Sequence, residues 1–201
     1  MARTRNEAAH AATRQRILRA AEALFAERGF HGTGMAAICE AVGMSPGTLY
    51  RYFASKDAII VAFVEEELAE SIEGLKRLED APDVLAALVD VLDASLSWGA
   101  DPAYVAVATE VVAEASRNQA IGERVAAMQH TLFRTLADAL SRAQAGGSVA
   151  AEVDVEAAAA ALLALVDGAV ATGSVMGSLD PQRRRSFLDR LVKRVLGASR
   201  P

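Results

Sequence analysis

Over the first 80 residues, apolar positions recur every three or four residues, the period of helices with one buried face. Ile17, Ala21 and Leu24, widened by Leu18 and Phe25, predict a first helix over about 13–28. Met35, Ile38 and Val42 form one face of a second, which Thr33 can cap through its hydroxyl. Gly43 stands where that helix wants a left-handed residue to stop. Ser45 is a good cap for a third helix, with Pro46 at its first position, where a missing N–H costs nothing. Leu49 and Phe53 face inward, which leaves Gly47, Thr48, Tyr50 and Arg51 pointing away. Ser55 caps a fourth helix, expected to end near residue 78. Two short helices, a tight turn and an immediate third start make a helix-turn-helix, whose second helix is built to lie in the major groove of DNA. A lone S-P-G would mark only a helix–helix corner. Three helix starts, a glycine stop and an outward polar face in one short stretch favour the DNA reader.

The same period continues to the end of the chain. Ala81-Pro82-Asp83 marks a corner before a fifth helix that ends near Trp98, and Asp101-Pro102 opens a sixth, to about Arg117. A seventh, over about 120–145, carries Ile121, Val125, Met128, Leu132, Leu136 and Leu140 as its stripe. Gly146-Gly147-Ser148 reads as a flexible linker. An eighth helix is expected over about 154–177, and Asp180-Pro181 starts a ninth that ends near Leu196. Clustered β-branched residues are few, so the expected fold is all-α, with about nine helices. Hydrophobic residues make up 52% of 201, enough for a sizeable core.

Charge sharpens the functional reading. The net charge of −5 is unpromising for a DNA binder, but residues 1–60 hold 8 Lys+Arg and 5 Asp+Glu, a balance of +3, which leaves −8 for the remainder. A basic head on an acidic body directs DNA to one end. Arg3 and Arg5 are either a soluble tail or an arm that reaches DNA. Cys39, the single cysteine, permits no intrachain disulfide, so a reducing cytoplasm is expected, with Cys39 as a small core residue rather than a redox sensor. No apolar leader opens the chain, and the longest apolar run, Ala157–Val166, is about half a membrane span, so no membrane partner is expected. His10, His31 and His130 lack metal-ligand spacing, and no phosphate loop or nucleophile elbow is present. Neither an enzyme nor a metal or other cofactor is expected.

The run Thr13-Arg14-Gln15-Arg16-Ile17-Leu18, followed by Leu24-Phe25, Gly29-Phe30, Gly43-Met44-Ser45, Gly47-Thr48-Leu49-Tyr50, Phe53 and Ser55-Lys56-Asp57, resembles the TetR family of transcriptional repressors, of the AcrR-like kind. The resemblance is specific over about the first 60 residues and architectural beyond them. Gly34 stands where the family usually has a second Thr or Ser, and Cys39 where it usually has Ala. It implies a DNA-binding domain over 11–71, with its motif at about 34–53, and a helical effector-binding and dimerisation domain over 72–201. It also implies contacts to a near-palindromic operator from Thr33, Gly34, Ser45, Pro46, Gly47, Thr48, Tyr50, Arg51, Tyr52 and Lys56. Thr48, Tyr50 and Tyr52 would mainly bond phosphates, Gly47 allows close backbone approach, Lys56 adds charge, and Arg51 reads a base edge or a phosphate.

In the eighth helix Ala161, Ala164, Gly168 and Ala171 form a stripe of tiny side chains, and in the ninth Phe187, Leu191 and Val195 belong to an apolar face too wide for one neighbour. A four-helix contact between two copies satisfies both, as the resemblance also implies; a monomer that buries them internally is the alternative. Arg183-Arg184-Arg185 are solvated or paired with acids. The resemblance further implies an effector cavity among the fifth to eighth helices. Its candidate lining is Trp98, Tyr104, Met128, Phe133 and Met176, with Glu110, His130 and Asp167 as polar contacts. Each of these could instead be plain core or solvated surface, and Asp167, set among Leu163, Val166 and Val170, could bond across a dimer as readily as bind a ligand. The tone favours an apolar or aromatic effector that releases the operator. The rival reading is a helical small-molecule binder or enzyme with a vestigial DNA-binding motif.

Overall fold

A computed structural model describes residues 2–172 and 179–197, with side chains from residue 7 onward. Among these residues it has nine helices and no strand: α1 (Ala2–Gly32), α2 (Met35–Val42), α3 (Pro46–Leu49), α4 (Lys56–Lys76), α5 (Val84–Trp98), α6 (Pro102–Arg117), α7 (Gln119–Ala145), α8 (Val155–Ala171) and α9 (Pro181–Leu196). They form two compact units, Met1–Glu65 with Pro102–Val125, and Glu66–Asp101 with Ala126–Pro201.

The first unit is built on the predicted inward faces. Ile17, Leu18, Ala21 and Phe25 of α1 pack with Ile38 and Cys39 of α2, then Leu49, Phe53, Ile59 and Ile60. Val107 and Val111 of α6 and Ile121 of α7 complete this core, so α6 packs with the N-terminal helices rather than with the body where sequence order puts it. The α1 ladder is interrupted at Gly29, whose φ of 71° and ψ of 167° are open to glycine and costly for an L residue. That break turns Phe30 back into the core, 5.4 Å from the Phe25 ring. Gly43 ends α2 at φ 70° as expected.

The second unit has its own core, in which Leu88, Leu92 and Leu96 of α5 meet Leu136 and Leu140 of α7, Ala159 and Leu162 of α8, and Leu188, Val192 and Leu196 of α9. Aspartate caps fix the helix starts: Asp83 accepts from the Ala86 N–H, Asp154 from Glu156 and Ala157, and Asp180 from Arg183. Arg184, buried, donates to Asp93 at 2.6 Å, and Arg185 pairs with Asp90, so two of the three arginines pair with acids, one of the alternatives left open for them.

Three boundary expectations change. Helix α1 begins eleven residues earlier than the apolar stripe suggests, because A-R-T-R-N-E-A-A-H-A-A contains no breaker. Helix α3 has only four residues and continues as turns through Tyr52. The Gly146–Ser148 segment is not a loose linker: Gln144 Nε2 lies 2.9–3.3 Å from the carbonyls of Ala150, Ala151 and Val153, and the Ala150 N–H donates to Leu196 O. The expected end of α8 at residue 177 lies outside the described residues, as do Met176 and the side chains of Arg3 and Arg5.

Candidate nucleic-acid interface

The reading motif is held by backbone capping. Ser45 has extended backbone, and its Oγ accepts from the Thr48 N–H at 3.3 Å and shares a hydrogen bond with Thr48 Oγ1 at 2.9 Å. Pro46 at the first helical position removes one donor that would otherwise need a partner. Leu49 is fully buried and Phe53 nearly so, which anchors the short helix from below. The opposite side carries Ser45, Pro46, Gly47, Tyr50 and Arg51, all exposed, with Tyr50 open over 52% of its surface. Beyond its chain neighbours and its own helix backbone, no atom of the described residues lies within 4 Å of where a Gly47 Cβ would stand. The space above Gly47 is therefore free for another molecule. Gly34 is likewise exposed, at the N-cap of α2.

Two expected contacts are corrected. Thr33 is fully buried, and its hydroxyl donates inward to Leu24 O at 3.1 Å and Gly29 O at 2.9 Å. It neither caps α2, where Gly34 is the N-cap, nor offers its side chain to a phosphate. The Gly29 break interrupts the regular α1 ladder, and the Gly29 carbonyl takes the Thr33 hydroxyl. Lys56 is half-buried, and its Nζ donates to Phe30 O and, at 2.9 Å, to Thr33 O, 4.1 Å from the centre of the Phe30 ring. A cation at the carbonyl end of a helix is favourable. Lys56 thus fastens the end of α1 to the start of α4.

Two contributors escaped the sequence reading. His10 stacks on Tyr52, with ring centroids 4.6 Å apart, and holds a motif side chain from the N-terminal extension of α1. Arg14 lies over the Phe53 ring at 5.3 Å and pairs with Glu65 at 3.9 Å. The spacing 10, 14, 17, 21, 24 continues the buried stripe toward the N-terminus and was the available signal. Behind the motif, Glu114 is buried and bonded to His31 at 2.8 Å and Arg117 at 3.5 Å, and Asn118 donates to Asp57 at 3.1 Å.

The second unit contains a cleft of about 690 Å³ between α4 and α5. Ala69, Gly74, Ala87, Val91, Ala94 and Trp98 give it apolar walls, and Glu70, Glu73, Arg77 and Asp90 surround them with charge. Of the expected effector residues Trp98 lines this cleft. Tyr104 and Glu110 are on α6, which packs in the other unit, and Glu110 approaches Gly29. Met128 and Phe133 are half-buried on α7, His130 is exposed beside Phe133, and Asp167 is exposed on α8. This cleft lies between α4 and α5 rather than among the fifth to eighth helices, and apart from Trp98 it does not gather those residues. Ala161, Ala164, Gly168 and Ala171 are exposed, Phe187 and Val195 are 44% and 47% open, and Leu191 is half-buried. Among the described residues no helix is long and apolar enough to cross a membrane, and no three acidic, cysteine or histidine side chains are grouped to hold a metal ion.

A capped helix presenting small and polar side chains outward from a helical head defines a DNA-binding transcriptional regulator of the helix-turn-helix class. Residues 17–63 match the family model described as bacterial regulatory proteins, tetR family, and residues 85–197 match that of the BetI-type transcriptional repressor C-terminal region. The HTH-type transcriptional regulator UidR of Escherichia coli K12 is 30% identical over 163 residues, which covers 79% of this chain and 80% of UidR. The Salmonella enterica GusR structure superposes with a TM-score of 0.79 at 34% identity, covering 92% of this chain and 95% of GusR. FadR of Bacillus subtilis, solved with stearoyl-CoA, shares the fold at a TM-score of 0.70 and 21% identity, over 89% of this chain and 96% of that one. This chain belongs to the TetR family of transcriptional regulators.

Proposed function

We propose that the protein is a cytoplasmic homodimeric repressor whose two α3 segments enter successive major grooves of a near-palindromic operator. It leaves that operator when a small molecule fills the cleft between α4 and α5. The observation that carries the DNA half is the outward set of Gly34, Ser45, Pro46, Gly47, Tyr50 and Arg51 over the buried Leu49–Phe53 anchor. Thr48 and Tyr52, both half-exposed, join this set, and Arg51 is its cation. Backbone contacts set register, while Arg51 is placed for a base edge or a phosphate. Thr33 and Lys56, whose side chains bond within the protein, are left out of this set.

The regulatory half rests on the cleft. Its apolar walls and Trp98 suit an apolar or aromatic ligand, and its charged surround suits a ligand with a polar end. A ligand shifts operator affinity only by its preference for one of two states. Helix α4 supplies both Lys56, which fastens the α1 end, and cleft residues such as Gly74, so a change in α4 is felt in both units. The protein acts by binding rather than turnover.

Trp98 is the only tryptophan in the chain, so its fluorescence reports cleft occupancy directly. Compounds that shift Trp98 emission should raise the melting temperature with the logarithm of their concentration above Kd and release operator DNA over the same range. Compounds that release the operator while Trp98 emission stays fixed would place the effector elsewhere.

A further inference from the structure

Asp167 has no hydrogen bond or ion pair within its chain among the described residues, although neighbouring groups partly shield it from water and raise its carboxyl above the ordinary carboxylate range. It lies at the edge of the exposed alanine and glycine strip of α8, on the same side of the helix as Glu156, which is already bonded to Arg134. On α9, Arg183, Arg190 and Arg194 fall within about 40° of one another at the helical repeat, beside the Phe187–Leu191 shoulder. All three are exposed, and none of their side chains has a partner among the described residues. Each copy therefore carries one unpaired carboxylate on α8 and unpaired arginines on α9, each beside exposed apolar or small residues of its own helix. Charges of opposite sign on two helices can satisfy each other reciprocally across a two-fold axis, as an isologous contact requires.

We propose that Asp167 pairs with the Arg190–Arg194 edge of a second copy, an ionic lock across the two-fold axis that fixes which faces of α8 and α9 meet. The inference rests on the homodimer reading above and deepens it by naming the pair that sets register. It also removes Asp167, an exposed residue of α8, from the effector site. In the contact, small side chains on α8 let the partner helix approach, Phe187 and Val195 supply apolar area, and the charged edges penalise a shifted or inverted pairing. A carboxylate covered by such a contact needs a cation, and the two arginines supply it.

Two variants test the lock. Asp167→Arg sets arginine against arginine in its own homodimer, and Arg190→Asp/Arg194→Asp sets acid against acid. Sedimentation equilibrium should show each variant dissociating at least about tenfold more readily than wild type, with unchanged helical circular dichroism. Mixed one to one, they should recover a dimer that native mass spectrometry identifies as the heterodimer, since both of its edges are again opposite in sign. If the variants weaken but the mixture does not recover, or if both dimerise like wild type, the pairing is wrong. A wild type that stays monomeric at micromolar concentration, or a Phe187→Asp variant that dimerises normally, would overturn the homodimer reading itself.

Discussion

At the scale of single residues, two neighbours of the reading helix have opposite roles. Tyr50 is mostly exposed and owes nothing to the core, whereas Lys56 holds two carbonyls of the α1 end. Lys56→Met keeps the aliphatic stem and removes the ammonium. It should cost about 1–3 kcal/mol of stability, because the Phe30 and Thr33 carbonyls lose a charged donor. Urea unfolding should show this as a lower midpoint at unchanged slope. Unchanged stability with reduced operator affinity would restore Lys56 as a phosphate contact. The inward set of Leu49 and Phe53 was legible because four-residue spacing fixes a common face. The role of Lys56 was not, since its partners lie 23 and 26 residues away in sequence and are backbone atoms. Thr33 was misread for a related reason: a cap signal does not reveal competing carbonyls beside a break at Gly29.

Among the elements, the shortest is also the one proposed to read DNA. Helix α3 has four residues, too few to be stable alone, and relies on the Ser45 cap and the buried Leu49. Ser45→Ala should therefore cost about 1 kcal/mol and fray the exposed turn that carries Gly47 and Tyr50. Hydrogen exchange should accelerate at the amides of Thr48, Leu49 and Tyr50, with the α5 and α7 amides unaffected. Uniform protection across wild type and variant would show that tertiary packing, not the cap, holds the turn. Helix starts marked by Ser45, Asp83, Asp154 and Asp180 were legible, because each is a short-range hydrogen bond between neighbours in sequence. The Gly146–Ser148 segment was not, because its order comes from Gln144 and from the Leu196 carbonyl, which no local glycine pattern records.

For the whole molecule, the proposed division of labour rests on charge, +3 over residues 1–60 against −8 over the rest. The packing of α6 with the N-terminal helices was not, since its apolar face, with Val107 and Val111, reads the same whichever core it joins. The cleft between α4 and α5 was hard to locate for the same reason, and Trp98 was its one legible wall. A symmetric pair of these heads should read a specific operator. Selecting bound duplexes from a random pool at fixed, near-physiological salt, with wild type and Tyr50→Ala in parallel, checks this. Wild type should enrich a two-fold symmetric motif, with half-sites separated by about one helical turn or a multiple. Tyr50→Ala, folded and equally stable, should bind that motif more weakly. No symmetric enrichment by the wild-type protein, or equal enrichment by the variant, would contradict this reading.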